Sequence, residues 1–251
     1  MANPPSGAEI RGRKDKTLTL RSDSPYHRRG KLTQIGPAGG RRNGMNTNLR
    51  EELKARKQAY VQDEIIAAAA RLFAERGIRA VTIDDIASSL GYTKSVVYYY
   101  FKNKNQVLWE IFNRIHEAWW ADMKAIMEED TAPDRKLAAL VRKHALNVMD
   151  RTEWTAIYFR DQSELTEAQQ ASVIERKRDF DRNFRDTYAK GVAAGLFKDI
   201  PPAVVTSGII GMCNQAHAWF KPGKGLSATE IADHFTEIAL NGCQRQAASR
   251  A

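Results

Sequence analysis

The feature that most constrains this chain is a pair of short amphipathic segments, residues 83–90 and 94–100, joined by a turn at residues 91–93. Thr82 precedes the first segment and is a residue type that caps helix N-termini, with an acid, Asp85, three positions later. Glycine opens the turn. Two short helices joined by three or four residues that include glycine form a helix-turn-helix, whose second helix fits the major groove of DNA.

A longer amphipathic stretch precedes this pair and ends at Gly77, where a residue without Cβ tolerates a left-handed backbone. Its apolar side chains recur at helical spacing. They are Ile65, Ile66, Ala69, Leu72 and Phe73. We therefore expect a three-helix DNA-binding domain over residues 51–105.

The second helix of the pair contains three consecutive tyrosines, Tyr98, Tyr99 and Tyr100. Val97 and Phe101 are four residues apart and can both face a core. Three consecutive residues cannot share one helix face, so at least one tyrosine should be exposed and able to contact a phosphate or a base edge. Tyrosine at helical spacing is also a common core residue, and that interpretation stays open for each of the three.

The next helix is expected to begin after Asn103, with Gln106 at the position that completes a capping box. Lys104 stands in its first turn, where a cation is unfavourable for the helix dipole. That cost is explained if a DNA phosphate approaches this helix N-terminus, so we predict a phosphate contact for Lys104.

Together these motifs resemble the N-terminal domain of the TetR family of transcriptional regulators. The residues that carry the resemblance are Ala70-Arg71-Leu72-Phe73-Ala74-Glu75-Arg76-Gly77, Val81-Thr82-Ile83-Asp84-Asp85-Ile86-Ala87, Gly91-Tyr92-Thr93-Lys94-Ser95-Val96-Val97-Tyr98-Tyr99-Tyr100-Phe101 and Lys104. The family often has histidine where Tyr100 stands, although a tyrosine hydroxyl can also donate to a phosphate.

The resemblance implies an all-α homodimer that binds a palindromic operator in double-stranded DNA. It further implies a repressor that is released by a small ligand and has no catalytic activity. The positions expected to contact DNA are Arg56, Lys57, Thr82, Thr93, Lys94, Ser95, Val96, Tyr98, Tyr99, Tyr100 and Lys104.

The positive charge of the chain lies near its N-terminus. Residues 1–57 hold 14 Lys and Arg against 5 Asp and Glu, which equals the whole formal net charge of +9. Residues 1–50 lack apolar periodicity, so we expect a disordered basic extension that adds salt-sensitive phosphate affinity. Two alternatives remain open: a solvated appendage without a role, or initiation at Met45 that leaves residues 1–44 untranslated.

Beyond residue 105 the pattern remains helical, and neither alternation nor clusters of β-branched residues predict a strand. The fold class is therefore all-α, with residues 106–251 as a helical effector-binding and dimerisation domain. Its last two helices are expected to pair across a two-fold axis, or alternatively to complete the domain core. The paired faces would carry Val204, Ser207, Gly208, Gly211 and Ala218, and Ile231, Phe235, Ile238 and Leu240.

Aromatic side chains are frequent in the middle of the chain, as they are both in pockets for apolar ligands and in ordinary cores. Residues 218–223 are similar to the end of the same helix in TetR-type regulators of lipid and sterol breakdown, which sense acyl-CoA thioesters. A cationic run could meet the phosphates of such a ligand or form a solvated helix face: Arg176, Lys177, Arg178, Arg182 and Arg185. The predicted ligand contacts are Phe112, His116, Trp119, Trp154, Tyr158, Gln162, Tyr188, Asn214 and His217.

Other function classes find little support in the residues. There is no metal-ligand spacing, nucleophile elbow or glycine-rich phosphate loop, so we expect neither an enzyme nor a metal or organic cofactor. No apolar run is long enough to span a membrane and no signal peptide is recognisable, so we expect a cytoplasmic protein. Two alternatives remain: activation in place of repression, and nucleoid-type binding of DNA without sequence preference.

Overall fold

The computed structural model describes the backbone of residues 42–245 and the side chains of residues 49–245. Over that range the chain forms α-helices and no β-strand, which confirms the all-α fold class. The N-terminal helices are α1 (Arg42–Arg76), α2 (Ile83–Ser89), α3 (Lys94–Tyr100) and α4 (Lys104–Glu128). The others are α5 (Pro133–Asp150), α6 (Thr152–Arg160), a 3-10 helix (Gln162–Glu164), α7 (Glu167–Ala193), α8 (Pro202–Trp219) and α9 (Ala228–Cys243).

The N-terminal extension differs from its prediction where the two can be compared. Residues 42–50 were expected to be disordered, but they form the first turns of α1. Strong helix formers at residues 49–57 favour a helix in this part of α1, whereas residues 42–48 are mostly Asn, Gly and Thr, which are weak helix formers. The rest of the predicted extension, residues 1–41, lies outside the described residues.

Local capping explains where several helices begin. At α2 the Thr82 hydroxyl accepts from the Asp85 N–H at 3.1 Å, and the Asp85 carboxylate accepts from the Thr82 N–H at 2.8 Å. Ser227 and Glu230 make the same reciprocal pair at α9. At α4 the Asn103 side chain caps the helix as predicted, at 2.9 Å from the Gln106 N–H.

Two clusters of buried apolar residues hold these helices together. The first cluster contains residues of α1, α2, α3, α4 and α6. Its members include Phe73, Ile86, Val97, Leu108, Phe112 and Tyr158. The second lies among α5, α7, α8 and α9 and includes Val141, Phe184, Tyr188, Cys213 and Ala239. The predicted domain boundary at residue 105 falls at the start of α4, whose buried side chains continue the first cluster, and it stays a prediction.

Within residues 42–245, no helix is both long and apolar enough to cross a membrane. The same part of the chain has no group of three or more His, Cys, Asp or Glu side chains that could hold a metal ion.

Candidate nucleic-acid interface and ligand cavity

The turn between α2 and α3 is held by backbone and side-chain hydrogen bonds. Gly91 has a φ of 68°, in the left-handed region that glycine tolerates best. The Tyr92 N–H donates to the Ala87 carbonyl at 2.9 Å. The Tyr92 hydroxyl donates to the Glu64 carboxylate on α1 at 2.6 Å, which raises the pKa of Tyr92. These bonds connect the turn before α3 to both neighbouring helices.

Most side chains of α3 and its N-cap are turned away from the core. Val97 is buried, whereas Val96 and Tyr100 are half-buried. The exposed residues in this stretch are Thr93, Lys94, Ser95, Tyr98 and Tyr99. The structure thus brings five of the predicted DNA contacts together on one short exposed helix.

The three tyrosines divide between solvent and core. Tyr98 is 47% exposed and Tyr99 is 69% exposed, which confirms that at least one tyrosine points outward. Tyr100 packs against the first apolar cluster, with its ring centroid 4.9 Å from that of Tyr99. Gln58 on α1 donates to the Tyr99 hydroxyl at 3.1 Å. The Tyr99 oxygen is therefore oriented by α1, while its own hydrogen remains able to donate.

Other predicted DNA contacts are already engaged within the chain. Lys94 Nζ lies 2.9 Å from Asp84 Oδ2, and this hydrogen bond raises the pKa of Lys94. An exposed pair of this kind contributes little stability, so Lys94 can exchange it for a phosphate. Thr82 uses its hydroxyl in the α2 capping box. Two other predicted DNA contacts, Arg56 and Lys57, are instead exposed on α1.

Lys104, for which we predicted a phosphate contact, is also bonded within the chain. Its Nζ donates to the carbonyl oxygens of Ile78 at 2.5 Å and Val81 at 2.7 Å, in the loop between α1 and α2. We expected its charge to need a DNA phosphate because it opens α4. The side chain instead reaches back to backbone carbonyls of this loop, which accept from an ammonium group as a phosphate would. We therefore leave Lys104 out of the proposed DNA interface.

A cavity of about 270 Å³ lies between α4, α5, α6, α7 and α8. Its walls are mainly aromatic, with Trp119 near the centre of the ring contacts: its centroid is 5.5 Å from both Tyr158 and His144. Its aromatic composition is that of small-molecule pockets, and its volume is just below their usual lower limit of about 300 Å³. The lining residues are His116, Trp119, His144, Tyr158, Phe159, Arg176, Lys177, Phe180, Asp181, Ser207, Ile210, Gly211 and Asn214.

Two cations stand at this cavity, both from α7. Arg176 donates to Asn113 at 2.8 Å and lies 5.2 Å from the Trp109 ring centroid. Lys177 Nζ lies 5.2 Å from the Tyr158 centroid, and burial lowers the pKa of Lys177. The remaining cations of the predicted run are not among the lining residues: Arg182 pairs with Asp179 at 3.0 Å, and Arg185 pairs with the cavity residue Asp181 at 3.8 Å.

Four of the nine predicted ligand contacts line this cavity: His116, Trp119, Tyr158 and Asn214. Burial lowers the pKa of His116 to about 4 and raises that of Tyr158 to about 12, so both are neutral near pH 7. A polar residue that the sequence interpretation missed is His144. It lies on the apolar stripe of α5, where nothing in its spacing distinguishes it from core.

Five predicted contacts do not line the cavity. Phe112 and Trp154 are buried in the first apolar cluster. Tyr188 is fully buried, donates to the Lys198 carbonyl at 2.8 Å and stacks on Phe197. Gln162 donates to the Tyr158 carbonyl from the 3-10 helix, and His217 stands against Phe159. Aromatic residues of cores and pockets look alike in a sequence, which explains why these residues were included among the predicted contacts.

The outer surface of α8 and α9 carries exposed apolar side chains. They include Val204, Trp219 and Ile238, and Leu226 in the loop between the two helices is exposed as well. Ile231, also expected on this surface, is buried, and Phe235 is half-buried. Ser207 and Gly211, expected only at a dimer interface, are exposed and also line the cavity.

Comparison with known proteins places this architecture in a family. The model for bacterial regulatory proteins of the tetR family matches residues 65–111, and the model for the tetracyclin repressor-like C-terminal domain matches residues 130–243. A TetR/AcrR-family transcriptional regulator from Thermobifida fusca YX-ER1 is 31% identical, with a TM-score of 0.60, over 73% of this chain and 98% of that one. The chain belongs to the TetR family of transcriptional regulators.

Two further proteins resemble this one over most of their length. The transcriptional repressor KstR2 of Mycolicibacterium smegmatis is 29% identical over 183 residues, which cover 72% of this chain and 89% of the relative. AibR, whose structure was solved in complex with isovaleryl coenzyme A and operator DNA, has a TM-score of 0.64 and 24% identity. The match covers 70% of this chain and 96% of AibR, and it shows a common fold.

Proposed function

We propose that this protein is a transcriptional repressor that binds a two-fold-symmetric operator as a homodimer and is released by a small effector. The observation that carries the proposal is the course of α4. Its first residue, Lys104, is bonded to the loop before the helix-turn-helix, and twelve to fifteen residues later His116 and Trp119 line the cavity. One continuous helix thus connects the candidate DNA-binding surface to the candidate effector site.

The DNA side of the proposal rests on the exposed residues of α3. Tyr98, Tyr99 and Ser95 offer hydroxyls, and Lys94 offers a cation, on a helix short enough to enter a major groove. Arg56 and Lys57 on α1 would contact the flanking backbone. Phosphate contacts of this kind position the protein, whereas hydroxyl contacts to base edges would select the sequence.

The homodimer is proposed from the exposed apolar surface of α8 and α9. Val204 and Ile238 are exposed, since no other described residue covers these apolar side chains. Large exposed apolar surfaces mark interaction sites. Gly208, exposed on α8, would let the helix of a second copy approach closely. A two-fold axis through this surface gives the dimer two copies of α3, which is what a palindromic operator requires.

For the effector we propose an apolar molecule, of which a short acyl-CoA thioester is the leading class. The aromatic walls around Trp119 and Phe180 suit an acyl group, and Arg176 and Lys177 stand where phosphates would be attracted. The AibR complex with isovaleryl coenzyme A supports this class by analogy of fold. Repression, in preference to activation, is supported by the name of the repressor KstR2.

Release requires that the effector bind the two arrangements of the dimer with different affinity. An effector between α4 and α7 would favour one position of α4 and thereby one separation of the two α3 helices. A coupling free energy of about 1–3 kcal/mol per site lowers operator affinity about 5- to 150-fold.

The effector class can be tested by fluorescence anisotropy with a labelled operator. Acetyl-, isovaleryl- and octanoyl-CoA, and free coenzyme A as the control, are titrated into the protein–operator complex. The proposal expects release by at least one thioester at concentrations where free coenzyme A has no effect. If every thioester binds the protein yet operator affinity stays unchanged, the release model is wrong.

A further inference from the structure

His144 and Asn214 form a polar pair at the wall of the aromatic cavity. His144 is 4% exposed, and its Nε2 lies 2.8 Å from Asn214 Oδ1. The other ring nitrogen, Nδ1, is buried without a hydrogen-bond partner. Burial lowers the pKa of His144 to about 4, so near pH 7 the ring is neutral and carries one N–H.

The unpaired Nδ1 determines which nitrogen carries the hydrogen. If the hydrogen were on Nδ1, the core would hold an unpaired N–H donor, which native proteins rarely tolerate; an unpaired acceptor is less unfavourable. His144 is therefore the Nε2–H tautomer, and Nε2 donates to Asn214 Oδ1. This assignment follows from the hydrogen-bond network around the ring.

The tautomer in turn orients the Asn214 amide. Because Oδ1 accepts from His144, the NH₂ group of Asn214 is turned away from the imidazole. In residues 49–245, the buried side-chain atoms that lack a hydrogen-bond partner do not include this nitrogen. Asn214 itself lines the cavity. An accessible hydrogen-bond donor therefore stands at the cavity wall, on the same side as Ser207 and Ile210 of α8.

We infer that Asn214 selects effectors that carry an acceptor oxygen, a carbonyl or a carboxylate, next to their apolar part, and that His144 is the positioning residue that holds the amide in this orientation. The inference rests on the proposed function, because it takes the cavity as the effector site. It narrows the effector from apolar molecules in general to acids, ketones, esters and thioesters. A hydrocarbon of the same shape leaves the Asn214 donor without a partner and binds more weakly.

The selectivity is tested with 1-tetralone and tetralin, two bicyclic probes that differ by one carbonyl group, by calorimetry in the absence of DNA. In Asn214→Leu the preference for 1-tetralone, taken as the ratio of the two Kd values, should fall about 2- to 13-fold, the factor for one net hydrogen bond. Gln215→Leu, the same change at the next, exposed residue of α8, is the matched control and should keep the wild-type preference. An unchanged ratio in Asn214→Leu overturns the inference.

Nitrogen-15 NMR of the wild-type protein tests the positioning role without any substitution. The His144 imidazole should give the signals of the Nε2–H tautomer, and the Asn214 side-chain amide should shift with 1-tetralone and stay in place with tetralin. The Nδ1–H tautomer, or equal shifts with both probes, contradicts the inference. Since neither measurement involves DNA, its outcome is separate from operator release: a carbonyl preference without release would defeat the proposed function alone.

Discussion

Lys104 Nζ lies 2.7 Å from the carbonyl oxygen of Val81, so the first residue of α4 closes the loop that leads into the helix-turn-helix. A second bond, to the Ile78 carbonyl, places the ammonium group between two backbone acceptors. A positive charge is unfavourable at a helix N-terminus. Here the charge of Lys104 makes hydrogen bonds that hold α4 to the DNA-binding part of the chain.

We predict that Lys104→Met destabilises the protein by about 1.5–3 kcal/mol, because hydrogen bonds from a charged donor contribute about that much. Methionine keeps an apolar stem of similar length and removes only the donor. Urea unfolding measures the change, with exposed Lys102→Met as the control. A large loss of operator affinity with unchanged stability would restore the phosphate contact that the sequence suggested.

The Tyr99 hydroxyl is oriented by Gln58, and the ring is exposed, so its role can be separated from folding. Tyr99→Phe should lower operator affinity about 5- to 150-fold, since a two-fold dimer loses one hydrogen bond per protomer. Anisotropy with the selected operator measures this. Tyr60→Phe, an exposed tyrosine on α1 bonded to Glu64, is the control. Equal effects of the two substitutions would argue against Tyr99 as a DNA contact.

Stability should fall on mild acidification because of His144. Its folded-state pKa is lowered to about 4 from an ordinary 6.5, so between these pH values the unfolded state binds more protons. The free energy of unfolding should drop by about 2 kcal/mol from pH 7 to pH 5 through this group. His144→Phe should weaken the dependence of the free energy of unfolding on pH. A part of that dependence should remain, because the half-buried His116 also has a lowered pKa. Urea unfolding at both pH values measures this change. His234→Gln, at an exposed histidine of α9, is the control.

Filling the cavity should separate DNA binding from release. Ile210 lines the cavity from α8, and Ile210→Trp places an indole in a space of about 270 Å³. We expect loss of effector binding and normal operator affinity, because the indole blocks the cavity without making the effector's contacts to Arg176 and Lys177 on α7. Calorimetry and anisotropy measure the two properties. Release at the wild-type effector concentration would show that the effector binds elsewhere.

Local signals were enough to predict the fold. The Thr82–Asp85 and Ser227–Glu230 pairs act within four residues, and Gly91 ends a helix by its own backbone freedom, so each can be recognised without tertiary structure. The start of α1 was missed because its first turns are polar and contain Asn, Gly and Thr, residue types of low helix propensity.

The cavity was predicted only in part, because its walls come from five helices that are distant in sequence. Tyr158 and Tyr188 are both aromatic residues on amphipathic helices, yet one lines the cavity and the other bonds to the Lys198 carbonyl within the core. His144 was missed for the same reason. Whether a polar side chain on an apolar stripe meets a partner such as Asn214 depends on packing that the sequence does not display.

The proposed function requires that this protein recognise one two-fold-symmetric DNA sequence through α3. The most direct measurement is selection of bound DNA from a random pool, with the full chain and with a chain lacking residues 1–44. We expect the same two-fold-symmetric motif from both forms, with Tyr99→Phe weakening its binding. No enriched motif from either form, together with binding that vanishes as the salt concentration rises, would contradict it.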